Sequence, residues 1–231
     1  MLKLMKLEMR KFRLKSYIYA ALIANAVIFI LMCTFSLNAE MRENFPIMNY
    51  ESMFSVLDLL VRGTYIIFAA VLLARLVVEE FRSKSITVLF MYPINRKKLM
   101  AAKLLVIILF IFLADVLTNL VVGLGFYIFN QFASVITEPL TLFLVVKTLV
   151  TIIMSAVATS FLSLIPLYFG MRKHSVAATI VSSFLVVMIV CQTVDGFSLY
   201  SIVAIPVGMA LLGAAIAYLS IRNVERDDVL N

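Results

Sequence analysis

Asp115, Thr118 and Asn119, in the run FLADVLTNL, set a carboxylic acid, a hydroxyl and an amide at spacings of three and four, which is one face of a helix. Such a trio can line a polar path, receive a cationic group or hold neighbouring helices together. Long apolar runs flank it on both sides. A carboxylate at the centre of a bilayer costs about 3 kcal/mol on insertion scales, so Asp115 must be neutral, paired or facing water. Two readings stand: the three line a translocation path, or they hydrogen-bond adjacent helices or a second protomer. Arg62 and Lys147 lie a turn or two inside the outer surface, close enough to snorkel, and either could form an interhelical pair with Asp58. His174 has no second ligand at metal spacing, so no metal centre is expected. Cys33 and Cys191 lie near the outer ends of apolar runs, where a disulfide is geometrically possible and two small packed residues are the simpler reading. No His, Asp, Ser or Cys constellation shares one depth, and no G-x-x-x-x-G-K-[ST] cradles phosphates. The chain reads as a non-enzyme that binds no cofactor directly.

The elements that must carry these residues are membrane helices. Hydrophobic residues make up 64% of the 231 and mean hydropathy is +1.08, well beyond the ~45–50% apolar content of soluble domains. The apolar runs are continuous rather than alternating, which favours helices over barrel strands. Six spans are expected, at 17–37, 56–78, 101–129, 142–169, 176–193 and 201–221, giving an all-α integral membrane protein with 1–231 as a single transmembrane domain. The first lacks a cleavage site and should be retained. Pro166 invites a kink in the fourth, and Gly170 marks a turn into a short loop that makes the fourth and fifth an antiparallel hairpin. Gly123 and Gly125 are a weak small-residue packing signal. The stretch CQTVDGFSLYSIVAIPVG is an ordinary loop or a re-entrant one.

Orientation follows from the cations. With the N-terminus inside, every Lys and Arg among the 20 falls on the cytoplasmic side except Arg42, Arg62 and Lys147. The net charge of +7 is a product of this bias, so nucleic acid is not an expected partner. Residues 1–16 place Lys3, Lys6, Arg10 and Arg13 beside a stripe of Leu2, Met5, Met9 and Phe12, the pattern of a helix lying in the cytoplasmic interface or of a plain basic flank.

One cytoplasmic segment carries more than topology needs. In EEFRSKSITVLFMYPINRKKLMAAK, residues 79–103, Glu79 and Glu80 are followed by Arg82 and Lys84, then by an apolar cluster that ends at Tyr92-Pro93. Pro93 breaks the element, and a basic helix re-enters the membrane from about Asn95. The expected result is a short amphipathic helix over 79–92, a proline turn and a basic re-entry.

Glu80, Phe81, Arg82, Lys84, Ser85, Ile86, Leu89, Tyr92, Pro93, Ile94, Arg96, Lys98, Leu99 and Lys103 resemble the first cytoplasmic loop of ABC-2-type transporter permeases. The specific part of the likeness is these roughly 25 residues; the span count and chain length agree with it. The resemblance implies that 79–92 is a coupling helix docking into a cytosolic ATP-binding subunit. Glu79, Glu80, Arg82 and Lys84 would then set electrostatic fit, Ile86, Leu89 and Phe90 would be the buried anchor, Tyr92 and Pro93 would fix the angle, and Phe81 and Arg96 would belong to the same partner-binding set. It further implies two ATPase subunits that hold ATP and Mg, a second permease alike or similar, and a bacterial cell membrane with both termini in the cytoplasm. Export of amphipathic or antimicrobial peptides or hydrophobic compounds is the implied function. A gradient-driven transporter, for which Asp115 is nearly the lone intramembrane site, and a non-transporting scaffold subunit are the alternatives.

Overall fold

The computed structural model describes residues 14–38, 49–82, 96–136, 138–173, 175–191, 193–194, 197–198 and 204–227. The described chain is helical except for one small strand pair. In order, the elements are α1 (Leu14–Leu37), α2 (Tyr50–Leu73), a π-helical turn (Ala74–Val78), α3 (Glu79–Arg82), α4 (Arg96–Ala133), α5 (Leu142–Leu162), α6 (Ile165–Lys173), α7 (Val176–Val190), β1 (Thr193–Val194), β2 (Phe197–Ser198) and α8 (Ala204–Asp227). Among the described residues, four stretches are long and apolar enough to cross a bilayer: Ser16–Leu37, Tyr50–Val78, Lys98–Ala133 and Leu142–Lys173. Two shorter apolar helices, Val176–Val190 and Pro206–Leu219, accompany them. The first four expected spans overlap the four long stretches; the last two overlap the shorter helices, which at their described lengths fall below the ~20 residues of an upright span. The expected interfacial helix falls largely on residues outside those described.

Local chemistry sets the boundaries. The second helix begins at Tyr50, six residues before the expected start, because Asn49 caps it: its Oδ1 accepts the Ser52 N–H at 2.8 Å, and Ser52 Oγ accepts the Asn49 N–H at 3.2 Å. This reciprocal arrangement satisfies two donors at the helix start. The fourth stretch breaks at Ser163–Leu164, between α5 and α6. Pro166 follows immediately, and its ring nitrogen cannot donate to the Leu162 carbonyl. Gly170 lies inside α6 rather than in a turn, and a methyl there would collide with the Thr179 hydroxyl of α7 and press on Val78. Its bareness is what lets the α6–α7 hairpin close.

Of the CQTVDGFSLYSIVAIPVG stretch, the described residues form an antiparallel pair, Thr193 opposite Ser198 and Val194 opposite Phe197. Both cysteines are free thiols.

Helix α2 is the spine. It packs against α1, α4, α5 and α7, and Met53, Leu57, Val61, Ile66, Ala69 and Leu73 along it are fully buried. Helix α8 closes on α5, where Gly213 meets the Phe161 backbone so closely that no side chain could be added. Gly123 and Gly125 of α4 sit under the rings of Phe54 and Phe29. The outer faces carry large apolar residues in the open, among them Leu22, Ile23, Leu113, Leu117, Phe143 and Phe184. Water would penalise such a surface at roughly 25 cal/mol per Å², and lipid removes that cost. The chain is an all-α integral membrane protein.

Candidate functional site

Among the described residues, two buried polar constellations interrupt this apolar bundle. The first begins on α2, where Asp58, Arg62 and Tyr65 follow at spacings of four and three and share one face. Arg62 is only 1% exposed and forms an ion pair with Asp58 one turn away on the same helix. Ser155 of α5 closes a triangle: its hydroxyl donates to Asp58 Oδ1 at 2.7 Å, and Arg62 Nη2 donates to Ser155 Oγ at 3.3 Å. The interhelical pair expected of Asp58 is therefore an intrahelical one, and Arg62 does not snorkel. Carbonyl-rich surroundings or a second helix cannot compete with a carboxylate one turn away, already within reach of a guanidinium at the i+4 position. Lys147 goes instead to Glu51, at 2.7 Å and well exposed.

One turn deeper, the Tyr65 hydroxyl shares a 2.6 Å bond with the Thr118 hydroxyl of α4, which donates to Asn25 Oδ1 of α1 at 2.6 Å. Three helices are thereby joined by one oxygen cluster. Asp115 and Asn119 complete the trio anticipated on α4: Asn119 Nδ2 donates to Asp115 Oδ1 at 3.0 Å and to the Asp115 backbone carbonyl at 3.2 Å. Asp115 lies within coulombic reach of Asp58 and Arg62, beside Thr159 of α5. Among the described residues, neither Asp115 Oδ2 nor the Thr159 hydroxyl closes a hydrogen bond. Thus Asp115, Thr118 and Asn119 do share a face, and Thr118 turns to α1 and α2 while Asp115 and Asn119 bond within α4. Asn119 also borders a cavity of about 210 Å³ otherwise lined by apolar groups, among them Phe54, Leu124, Tyr127 and Leu149. Drug-sized ligands occupy roughly 300–1,000 Å³, so this cavity holds at most a side-chain-sized apolar group.

The second constellation lies at the foot of the charged segment. Glu79 is exposed, whereas Glu80 turns inward to an ion pair with Lys103 of α4. Lys103 is 2% exposed and also donates to the Leu76 carbonyl of the π turn at 3.2 Å. Phe81 and Arg82 end α3, and Arg96 opens α4. Lys84, Ile86, Leu89, Phe90, Tyr92 and Pro93 lie outside the described residues. The described residues contain no cluster of His, Cys, Asp and Glu that could hold a metal.

Sequence reasoning missed Asn25, Tyr65, Ser155 and Thr159, uncharged residues whose types are common in membrane helices. Only the i, i+4 spacing of Asp58 and Arg62 signalled the first triangle. The second had a signal too, an acid and a base at the two ends of one short loop.

Comparison with known proteins adds the identity of the bundle. No solved structure matches the chain. An uncharacterised protein of Bacillus subtilis (strain 168), YcbO, is 36% identical over 227 residues, spanning 98% of this chain and 100% of the relative. The family described as ABC-2 family transporter protein matches residues 4–190. A match over most of the chain, on an all-helical membrane fold with a charged loop between α3 and α4, places the protein in the ABC-2 transporter family, whose members are membrane subunits and not themselves catalytic.

Proposed function

We propose that the protein is the permease of an ATP-driven exporter that moves amphipathic or antimicrobial peptides, or hydrophobic compounds, out of a bacterial cell. The observation that carries this reading is the continuity of α2, the π turn and α3 into a charged loop that returns directly as α4. Such a loop is a handle on two long apolar helices at once. The chain itself has no phosphate cradle, so energy enters through a partner, which would hold ATP and Mg. Two copies of that ATPase would grip the loops of two permeases, this one and a second copy or a close relative. Closure of the ATPases on ATP would tilt α2 and α4 and shift the path between inward and outward access; hydrolysis would reset it. Both termini would lie in the cytoplasm, as the cation distribution favours.

The substrate class is tested by deleting the gene in its host and measuring growth inhibition by a panel of amphipathic peptides and lipophilic drugs. Heightened sensitivity to members of the panel, restored by the intact gene and not by Leu89→Asp, is the expected result. Unchanged sensitivity across the panel would contradict this substrate assignment.

A further inference from the structure

Lys103 is only 2% exposed, one to two turns beyond the basic start of α4 at Arg96, Lys97 and Lys98 and at the head of its long apolar run. A buried ammonium is costly unless its donors are satisfied and its charge is matched. Both conditions are met from across the loop, by the Glu80 carboxylate and by the Leu76 carbonyl. The Leu76 carbonyl belongs to the π turn, where the regular i to i−4 ladder is interrupted and the Glu79 N–H bonds Ala74 O instead. Such turns are local weak points in a helix and recur at functional sites. In sequence, Glu80 precedes the charged loop and Lys103 follows it; in space they meet, so the loop is tied off at its base.

We propose that Lys103 is a positioning residue, a latch that makes the π turn, α3 and α4 move as one body when the loop is displaced. Without it, a push on the loop would be absorbed by bending at the π turn, and α2 would not follow α4. Because the pair is largely dehydrated it is little screened by salt. Its two halves sit on the two helices that leave the loop, which is the place where a displacement must divide between them. The inference rests on the partner-driven permease reading, and separates from it in the test.

The permease would be purified with its ATPase in lipid nanodiscs, with Cys33→Ser and Cys191→Ser as background and spin labels at Ser55→Cys and Phe132→Cys, exposed positions on the outer halves of α2 and α4. The distance between labels is measured with and without a non-hydrolysable ATP analogue. The latch predicts that the intact protein and Lys103→Arg, which keeps charge and donors, show a nucleotide-dependent shift, and that Lys103→Met and Glu80→Gln lose it while retaining the ATPase in full yield. A wild-type shift in Lys103→Met with the ATPase bound would overturn the latch alone. Loss of the ATPase from Lys103→Met, but not from Lys103→Arg, would overturn it in favour of a docking role. Absence of any ATPase from the intact protein would overturn the partner-driven reading and the latch together.

Discussion

The Arg62 guanidinium is buried among apolar side chains, and its neutraliser sits one turn away on its own helix. Removing one partner of such a pair strands the other charge, at a cost of about 3–5 kcal/mol in buried sites. Arg62→Met should therefore lower the unfolding temperature in mild detergent sharply, and Asp58→Asn with Arg62→Met should recover much of the loss, because the double variant leaves no orphan charge. A double variant no more stable than the single would contradict the assignment. The Lys147–Glu51 pair is exposed on both sides, and exposed pairs are worth ~1 kcal/mol or less. Lys147→Ala should shift the same unfolding temperature far less than Arg62→Met. Tyr65→Phe removes one hydroxyl from the three-helix cluster and leaves Thr118 bonded to Asn25; a loss near 1 kcal/mol is expected from hydrogen bonds inside membranes, read from equilibrium unfolding. Of these residues, the sequence marks Asp58, Arg62 and Asp115 at once, because charge in an apolar run is conspicuous. Tyr65, Asn25 and Ser155 become visible only when three helices are brought together, since nothing in their local pattern separates them from filler.

Among the elements, helix α8 depends on a residue that has no side chain. Gly213 rests against the carbonyl of Phe161 in α5, and even a methyl there would overlap backbone. Gly213→Ala should cost at least 1–3 kcal/mol, the range for overpacked sites, whereas Gly208→Ala, with open space around it, should be neutral or stabilising by less than about 1 kcal/mol. Thermal aggregation of the two variants measured side by side checks the contrast; equal losses would contradict the α5–α8 packing. Element identity was legible from hydropathy because about 20 apolar residues in a row have few alternatives to a membrane helix. Element ends were less so. The early start of α2 depends on the Asn49 and Ser52 cap, two ordinary polar residues in what reads as an outer loop. The break before Pro166 was legible because proline removes a donor wherever it stands. The role of Gly170 was not, because a glycine near a helix end reads as a turn until a neighbouring helix is seen against it.

At the scale of the whole molecule, an apolar bundle with buried ion pairs at two places among the described residues must couple those places if it is to transport anything. The triangle of Asp58, Arg62 and Ser155 and the cluster around Thr118 join α1, α2, α4 and α5 within the apolar bundle, and Lys103 joins the same α4 to the foot of α2 at the base of the charged loop. Helices α2 and α4 are thus fastened at two depths, and under the proposed latch a displacement of the loop between them would be carried into the bundle. In the proposed permease, that loop is where energy would enter. The most direct measurement is co-purification from the native host: the tagged protein, gently solubilised, is eluted beside a variant carrying Arg82→Glu and Leu89→Asp, and both eluates are read by mass spectrometry. The account predicts that a soluble protein with a phosphate-binding G-x-x-x-x-G-K-[ST] motif elutes with the intact chain and is lost from the variant. An intact oligomer that brings down no such protein would contradict it.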